Sequence, residues 1–199
     1  MTIKICGITN AEDAEAAVAG GATAIGFNFF PRSPRYIPPE RAAKIRPEGV
    51  CRVGVFVNET PARIAQIARV VGLDVAQLHG DESPADYPQN LTVWKAARVG
   101  EAFDFARYAD LPADALLLDG PAADLYGGSG QVFDWSVAAQ TSKRIIVAGG
   151  LDASNVARAV ELAHPWGVDT CSRIESSPGK KDLDKMYGFL QAARAALGA

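Results

Sequence analysis

Apolar runs with β-type alternation recur along this chain, and between them apolar positions return every three or four residues. The runs are 3–6 (IKIC), 24–29 (AIGFNF), 52–57 (RVGVFV), 75–79 (VAQLH), 92–97 (TVWKAA), 115–119 (ALLLD), 144–150 (RIIVAGG) and 168–172 (VDTCS). The helical stretches between and after them cover 11–20, 39–46, 61–71, 83–88, 101–109, 134–140, 153–163 and 181–197. Thr60-Pro61 and Ser83-Pro84 each set a capping side chain before a proline at the first helical position. Asp152 or Ser154 is expected to cap the seventh helix, and Gly20-Gly21 to close the first. Eight alternating βα units with short connections predict a parallel sheet closed into an α/β (β/α)8 barrel, the TIM-barrel fold. At 199 residues the barrel is of minimal size, with trimmed helices and loops, and one domain spans 1–199. A doubly wound open sheet would normally carry a glycine-rich GxGxxG turn after its first strand; here that strand runs into CGITN.

Ligands of such barrels meet the C-terminal ends of the strands, and strand parity then selects residues. Side chains alternate across a strand, so Ile3 and Ile5 suit the helix layer while Lys4 and Cys6 point into the barrel, Cys6 at its mouth. Leu116 and Leu118 pack outward and Asp119 points in at the end of strand six. Gln77 and His79 share a parity on strand four, and Lys95 is expected to end strand five. Free cysteine has a pKa of about 8.5, so a thiolate base at Cys6 needs a nearby cation, for which Lys4 is a candidate. A carboxyl group enclosed at a barrel mouth can serve as an acid. An isolated cysteine is more often a small buried hydrophobe, and position alone favours that reading for Cys6. Asp119 follows three leucines, where an acid is costly to bury without a purpose. Cys51 and Cys171 read as packing residues, and His79 as a hydrogen-bonded interior histidine.

Four loops add to the mouth. VAGGLDASN leads from an apolar strand through Gly149-Gly150 to a helix start, the arrangement in which bare amides hold phosphate. The loop after strand eight, with Ser172 and the amides that follow, completes such a site in many barrels. FFPRSPRY sets Arg32 and Arg35 among rigid prolines, and a guanidinium there suits two-point binding of a carboxylate. Gly120, Gly127, Gly128 and Gly130 mark the segment after strand six as a mobile lid.

Composition narrows the partners. The chain is 48% hydrophobic and 22% charged, the balance of an ordinary globular protein. A net charge of −3 disfavours nucleic acid, which needs a basic face. No apolar run spans a bilayer and the first residues lack a signal-peptide pattern, so the expected location is cytoplasmic, with no membrane partner. Three widely spaced cysteines and two lone histidines form neither a disulfide framework nor a metal motif.

Taken in order, KICGIT, PRSPRY, RVGVFVN, QLHGDE, LLLD, GGSGQVFDW, AGGL, VD and ESSPGKKD resemble the phosphoribosylanthranilate isomerase family of tryptophan biosynthesis along the whole chain. The resemblance implies a small (β/α)8 barrel that performs an Amadori rearrangement of N-(5-phosphoribosyl)anthranilate to the 1-deoxyribulose 5-phosphate product. It implies Cys6 as general base at C2 of the opened sugar and Asp119 as general acid at the ring oxygen. Arg35 would hold the anthranilate carboxylate, and amides around Gly149, Gly150, Ser172 and Arg173 the phosphate. The only partner implied is this small phosphorylated substrate, with no metal and no cofactor; monomer and homodimer both stand. One departure is plain: the family usually reads Ser-Ser-Gly-Val-Glu after strand eight, and this chain reads Cys171-Ser172-Arg173-Ile174-Glu175. Arg173 in place of glycine either strains the loop or adds a cation to the phosphate site. Two other readings remain, a phosphate-binding barrel without isomerase activity and the related histidine-pathway isomerase. Against the latter, strand one ends in Cys6 rather than an aspartate, and strand three runs into NETP without a glycine-rich loop.

Overall fold

The computed structural model describes residues 1–100, 103–120 and 133–198. Eight parallel strands close into a barrel in sequence order: β1 Thr2–Ile5, β2 Ala24–Asn28, β3 Cys51–Phe56, β4 Val75–Leu78, β5 Thr92–Arg98, β6 Ala115–Asp119, β7 Ile145–Val147 and β8 Gly167–Thr170, with β8 pairing back onto β1. Among the described residues five α-helices accompany them: α1 Ala11–Ala19, α2 Pro39–Ala42, α3 Pro61–Val71, α4 Val156–Ala163 and α5 Leu183–Leu197. The lid expected in the segment after strand six falls largely on residues 121–132, outside the described residues.

Helix boundaries follow local chemistry. The Thr60 side chain accepts from the Arg63 amide at 3.3 Å, Pro61 opens α3, and Gly72 ends it in the left-handed region. Ile64, Ile67, Ala68 and Val71 recur on one face and are buried; each large apolar side chain so buried contributes about 1.5–3 kcal/mol. Gly20 caps α1 as expected. The expected helices at 83–88, 101–109 and 134–140 are instead single 3-10 segments, Pro84–Asp86, Phe105–Tyr108 and Trp135–Gln140. In the first, Pro88 forces Tyr87 into extended backbone, which leaves room for one turn. The 39–46 helix shortens to Pro39–Ala42. Asn155, not Asp152 or Ser154, stands at the N-cap of α4. Residues 175–181, read partly as helix, form a hairpin, β9 Glu175–Ser177 with β10 Lys180–Lys181, and α5 begins after it, capped by Asp182.

The core divides by strand parity. Ile3, Ile5, Leu116, Leu118 and Val147 pack outward against the helices, while Ala24, Val53, Val75, Trp94, Ala115, Leu117 and Ile146 fill the barrel. Near the N-terminal ends of the strands the interior is closed by apolar contact, with Trp94 edge-on to Trp166 at 5.9 Å between centroids. Towards the C-terminal ends it turns polar, through Lys4 and Asp169 to Cys6, Asn28, Gln77, His79 and Asp119. Lys95 does not end its strand. It lies mid-β5 between the inward Trp94 and Ala96, faces the outer layer, and donates to Glu82 at 2.7 Å and the Gly80 carbonyl at 2.6 Å.

Candidate active site

One pocket opens at the C-terminal ends of the strands, lined by Cys6, Arg35, His79, Asp119, Gly149, Gly150, Ser172 and Arg173 among others. Cys6, Arg32, Arg35, Gln77, His79, Asp119, Gly149, Gly150, Ser172 and Arg173 therefore converge on one space, whereas Lys95 does not. Cys6 immediately follows β1, its amide bonded to the Thr170 carbonyl at 2.9 Å. Beneath it the Lys4 ammonium is fully buried and donates to Asp169 at 2.9 Å. Room for both comes from Gly26 on the next strand: a Cβ there would lie 2.9 Å from Cys6 Sγ and 3.0 Å from Lys4 Cε.

The charges fit this packing. A hydrogen bond from the Cys171 thiol and the Lys4 ammonium hold the Cys6 thiol well below its ordinary range, against the opposing pull of burial. Burial also works against the charge on Lys4, but Asp169 and Cys6 outweigh it and raise Lys4. Burial pushes Asp169 up to about 7, aided by the nearby Cys6 and Asp119 and opposed by Lys4. The short buried contact to the Lys4 ammonium, a cation at neutral pH, favours the ionised Asp169 carboxylate.

The support that Lys4 lends to Cys6 is directly testable. In Lys4→Met the thiolate loses its cation and faces Asp169 without its counterion, so the midpoint of the pH profile for thiol alkylation at Cys6 moves to higher pH. An unmoved midpoint counts against this role.

Asp119 lies across the mouth, 6% exposed, with Oδ1 accepting from the Gly120 amide at 2.9 Å. His79 Nε2 stands 3.5 Å from Asp119 Oδ2, and the Gln77 amide meets His79 Nδ1 at 3.0 Å. His79 is thus hydrogen-bonded, as the sequence suggests, but it also faces the carboxylate expected to act as the acid. A Gln77 N–H donated to Nδ1 leaves the ring proton on Nε2, which is buried and makes no hydrogen bond among the described residues, its separation from the Asp119 carboxylate being 3.5 Å. The shared parity of Gln77 and His79 was the only sequence signal for this chain of contacts.

Arg35 donates from Nε and Nη2 to the Glu175 carboxylate, the shortest contact being 2.8 Å. Nη1 has no hydrogen-bond partner among the described residues and remains for a ligand. Arg32 lies over the Phe30 ring at 5.9 Å. The hairpin after β8 supplies what the sequence reading missed. Glu175 fixes Arg35, and Lys181 donates to Glu175 at 3.1 Å while its Nζ stands 4.0 Å from Cys171 Sγ. Cys171, expected to be a packing residue, instead shares the site with Cys6. Cys51 does pack within the barrel, and burial pushes its thiol up to about 11.

Gly149 and Gly150 both adopt left-handed backbone, φ 78° and 65°, which a side chain would strain. The Gly150 carbonyl accepts from Asn155 Nδ2 at 2.8 Å, tying the turn to the start of α4. Ser172–Ile174 form one 3-10 turn. Arg173 is not among the described residues with positive φ, so this position does not require glycine and strain is not the consequence of the exchange. Its guanidinium extends to 4.0 Å from the Asp152 carboxylate at the rim of the pocket.

A family model for N-(5'-phosphoribosyl)anthranilate (PRA) isomerase matches residues 3–192. The chain belongs to the PRA isomerase family. It is 71% identical over 199 residues to the N-(5'-phosphoribosyl)anthranilate isomerase of Solibacter usitatus, with both chains covered in full. Its barrel superposes on the phosphoribosyl anthranilate isomerase of Thermus thermophilus with a TM-score of 0.90 at 36% identity, covering 98% of this chain and 99% of the other. A second PRA isomerase structure, 38% identical with a TM-score of 0.85 over 98% and 99% of the two chains, holds reduced 1-(o-carboxyphenylamino)-1-deoxyribulose 5-phosphate. Like its PRA isomerase relatives, the chain is an aldose–ketose isomerase of tryptophan biosynthesis. Among its described residues, no helix is long and apolar enough to cross a membrane.

Proposed function

We propose that this barrel rearranges N-(5'-phosphoribosyl)anthranilate to 1-(2-carboxyphenylamino)-1-deoxyribulose 5-phosphate with Asp119 as general acid and Cys6 as general base. The observation that carries the assignment is the pair itself: an activated thiol and a buried carboxyl on opposite sides of one pocket whose rim is a glycine turn. Asp119 protonates the ring oxygen, the C1–O bond breaks, and the anthranilate nitrogen forms a C1=N bond. The Cys6 thiolate then removes the C2 proton. The resulting enol-amine takes a proton at C1 and loses the proton of its C2 hydroxyl, which gives the ketone. Only protons move, so the reaction consumes no reductant or oxidant. His79, held by Gln77, steadies the Asp119 carboxylate, and Lys4 with Cys171 steadies the thiolate.

The anthranilate carboxylate meets Arg35, which lines the pocket and is already braced by Glu175. The phosphate sits on amides around Gly149, Gly150, Ser172 and Arg173, with the Arg173 side chain as an added cation. A substrate carrying a phosphate and a carboxylate suits such a mouth, and a pathway of small soluble metabolites suits the cytoplasm.

Following the loss of substrate anthranilate fluorescence, with the substrate generated in situ, tests the activity; no loss with the wild-type chain would defeat it. Arg173→Gly tests the phosphate site. KM rises by about 5–30-fold, the loss of one charge-assisted contact of roughly 1–2 kcal/mol, and kcat changes little. An unchanged or lower KM would remove Arg173 from the site.

A further inference from the structure

β8 closes the barrel on β1 in register, with Ile5 opposite Thr170. One step further along both chains stand Cys6 and Cys171. Residues paired on neighbouring strands lie about 4.8 Å apart, within the roughly 4.4–6.8 Å between Cα atoms that a disulfide spans. By parity both side chains turn to the mouth and line the same pocket, where the Cys171 thiol also lies 3.8 Å from Glu175 Oε1. Gly7, next to Cys6, makes room for the second thiol: a Cβ there would lie 2.8 Å from Cys171 Sγ. Two ammonium groups frame the pair, Lys4 beneath Cys6 and Lys181 4.0 Å from Cys171 Sγ. Both cysteines line the open pocket, whereas Cys51 begins β3 at the opposite end of the barrel.

We propose that Cys6 and Cys171 form a peroxide-responsive pair whose oxidation to a disulfide switches the isomerase off and whose reduction restores it. The Cys6 thiolate attacks an oxygen of hydrogen peroxide. The O–O bond breaks, and the departing hydroxide is protonated to water. Cys6 is now a sulfenic acid. Cys171 loses its proton and attacks the Cys6 sulfur; the S–O bond breaks and the oxygen leaves as a second water. Two thiols are oxidised and one peroxide is reduced, giving one disulfide and two waters. With its sulfur bonded to Cys171, Cys6 can no longer take a proton. Cys171 also protects the site, because a sulfenic acid without a neighbouring thiol proceeds to sulfinic acid, which thiol reductants do not reverse.

The switch rests on Cys6 as the base, but the bond itself is read by mass. Wild type, Cys171→Ser and Cys51→Ser are treated with hydrogen peroxide, digested without reduction and mapped by mass spectrometry, alongside activity before and after dithiothreitol. Serine keeps a hydroxyl at position 171 but cannot cross-link. Wild type and Cys51→Ser should yield one linked peptide pair, Cys6 with Cys171, lighter by two hydrogens. Activity should fall with the linkage and return fully on reduction. In Cys171→Ser, Cys6 should gain two oxygens, with a loss that dithiothreitol does not reverse. No linked pair in wild type, a pair that uses Cys51, or equal recovery in Cys171→Ser would overturn the proposal. A linked pair with isomerase activity intact would instead remove Cys6 from the acid–base chemistry.

Discussion

Cys6→Ala and Asp119→Asn each lower kcat for the isomerisation by about 10²–10⁴-fold, the usual contribution of one positioned acid or base. The two losses have separate signatures. In Cys6→Ala the substrate still binds and its ring still opens, but nothing takes the C2 proton. The cost falls on kcat, with little change in KM. In Asp119→Asn the geometry beside His79 and Gly120 is nearly kept, and only the transferable proton is lost. Ring opening becomes limiting, so a substrate already in the open-chain form would regain much of the rate in this variant and none of it in Cys6→Ala. The double variant loses far less than the product of the two single losses, because residues acting on one reaction coordinate are not additive. Steady-state kinetics by anthranilate fluorescence checks all three. Retention of more than about a tenth of wild-type kcat in either single variant is too small a loss for an acid or base role.

Lys95→Met carries the largest expected cost in stability. Lys95 is 4% exposed and Glu82 7% exposed, and their charges meet at 2.7 Å outside the barrel wall. Glu82 also accepts from the amides of Asn58, at 2.8 Å, and Gly80, at 3.0 Å, so one carboxylate ties the loop after β3 to the loop after β4. Methionine keeps the apolar stem but leaves that carboxylate buried and uncompensated. Removing one partner of a buried ion pair costs about 3–5 kcal/mol, which for a chain of this size lowers the melting temperature by roughly 10 °C. Thermal unfolding followed by circular dichroism measures it. Lys95→Met with Glu82→Leu recovers a large part of the loss, since the penalty lies in the stranded charge. A single variant that melts within about 2 °C of wild type would mean that water reaches and solvates Glu82.

The alternation of strands and helices made the barrel legible, because a closed parallel sheet is the arrangement that buries eight β runs beneath helices. Parity then told inside from outside: Lys4, Cys6 and Asp119 turn inward while Ile3, Ile5, Leu116 and Leu118 turn to the helices. The glycines at 149 and 150 read as bare amides before a helix start; the left-handed backbone that both adopt came from the structure. The same reasoning stopped at Lys95, placed at a strand end that in fact runs on to Arg98 and leaves the lysine on the outer face. It also stopped at the short 3-10 segments, where proline and short connections outweigh helical periodicity.

Periodicity states which face of its own strand a residue occupies. It carries no term for what stands opposite once the barrel closes. Lys4 and Asp169 meet across 165 residues of chain, Cys6 and Cys171 across the same β1–β8 seam, and His79 and Asp119 between strands that are not neighbours in the barrel. Those pairings decide which thiol is activated, which acid is braced and which arginine is already held. They belong to the tertiary structure, because burying a charge is tolerable only beside the partner that closure brings to it.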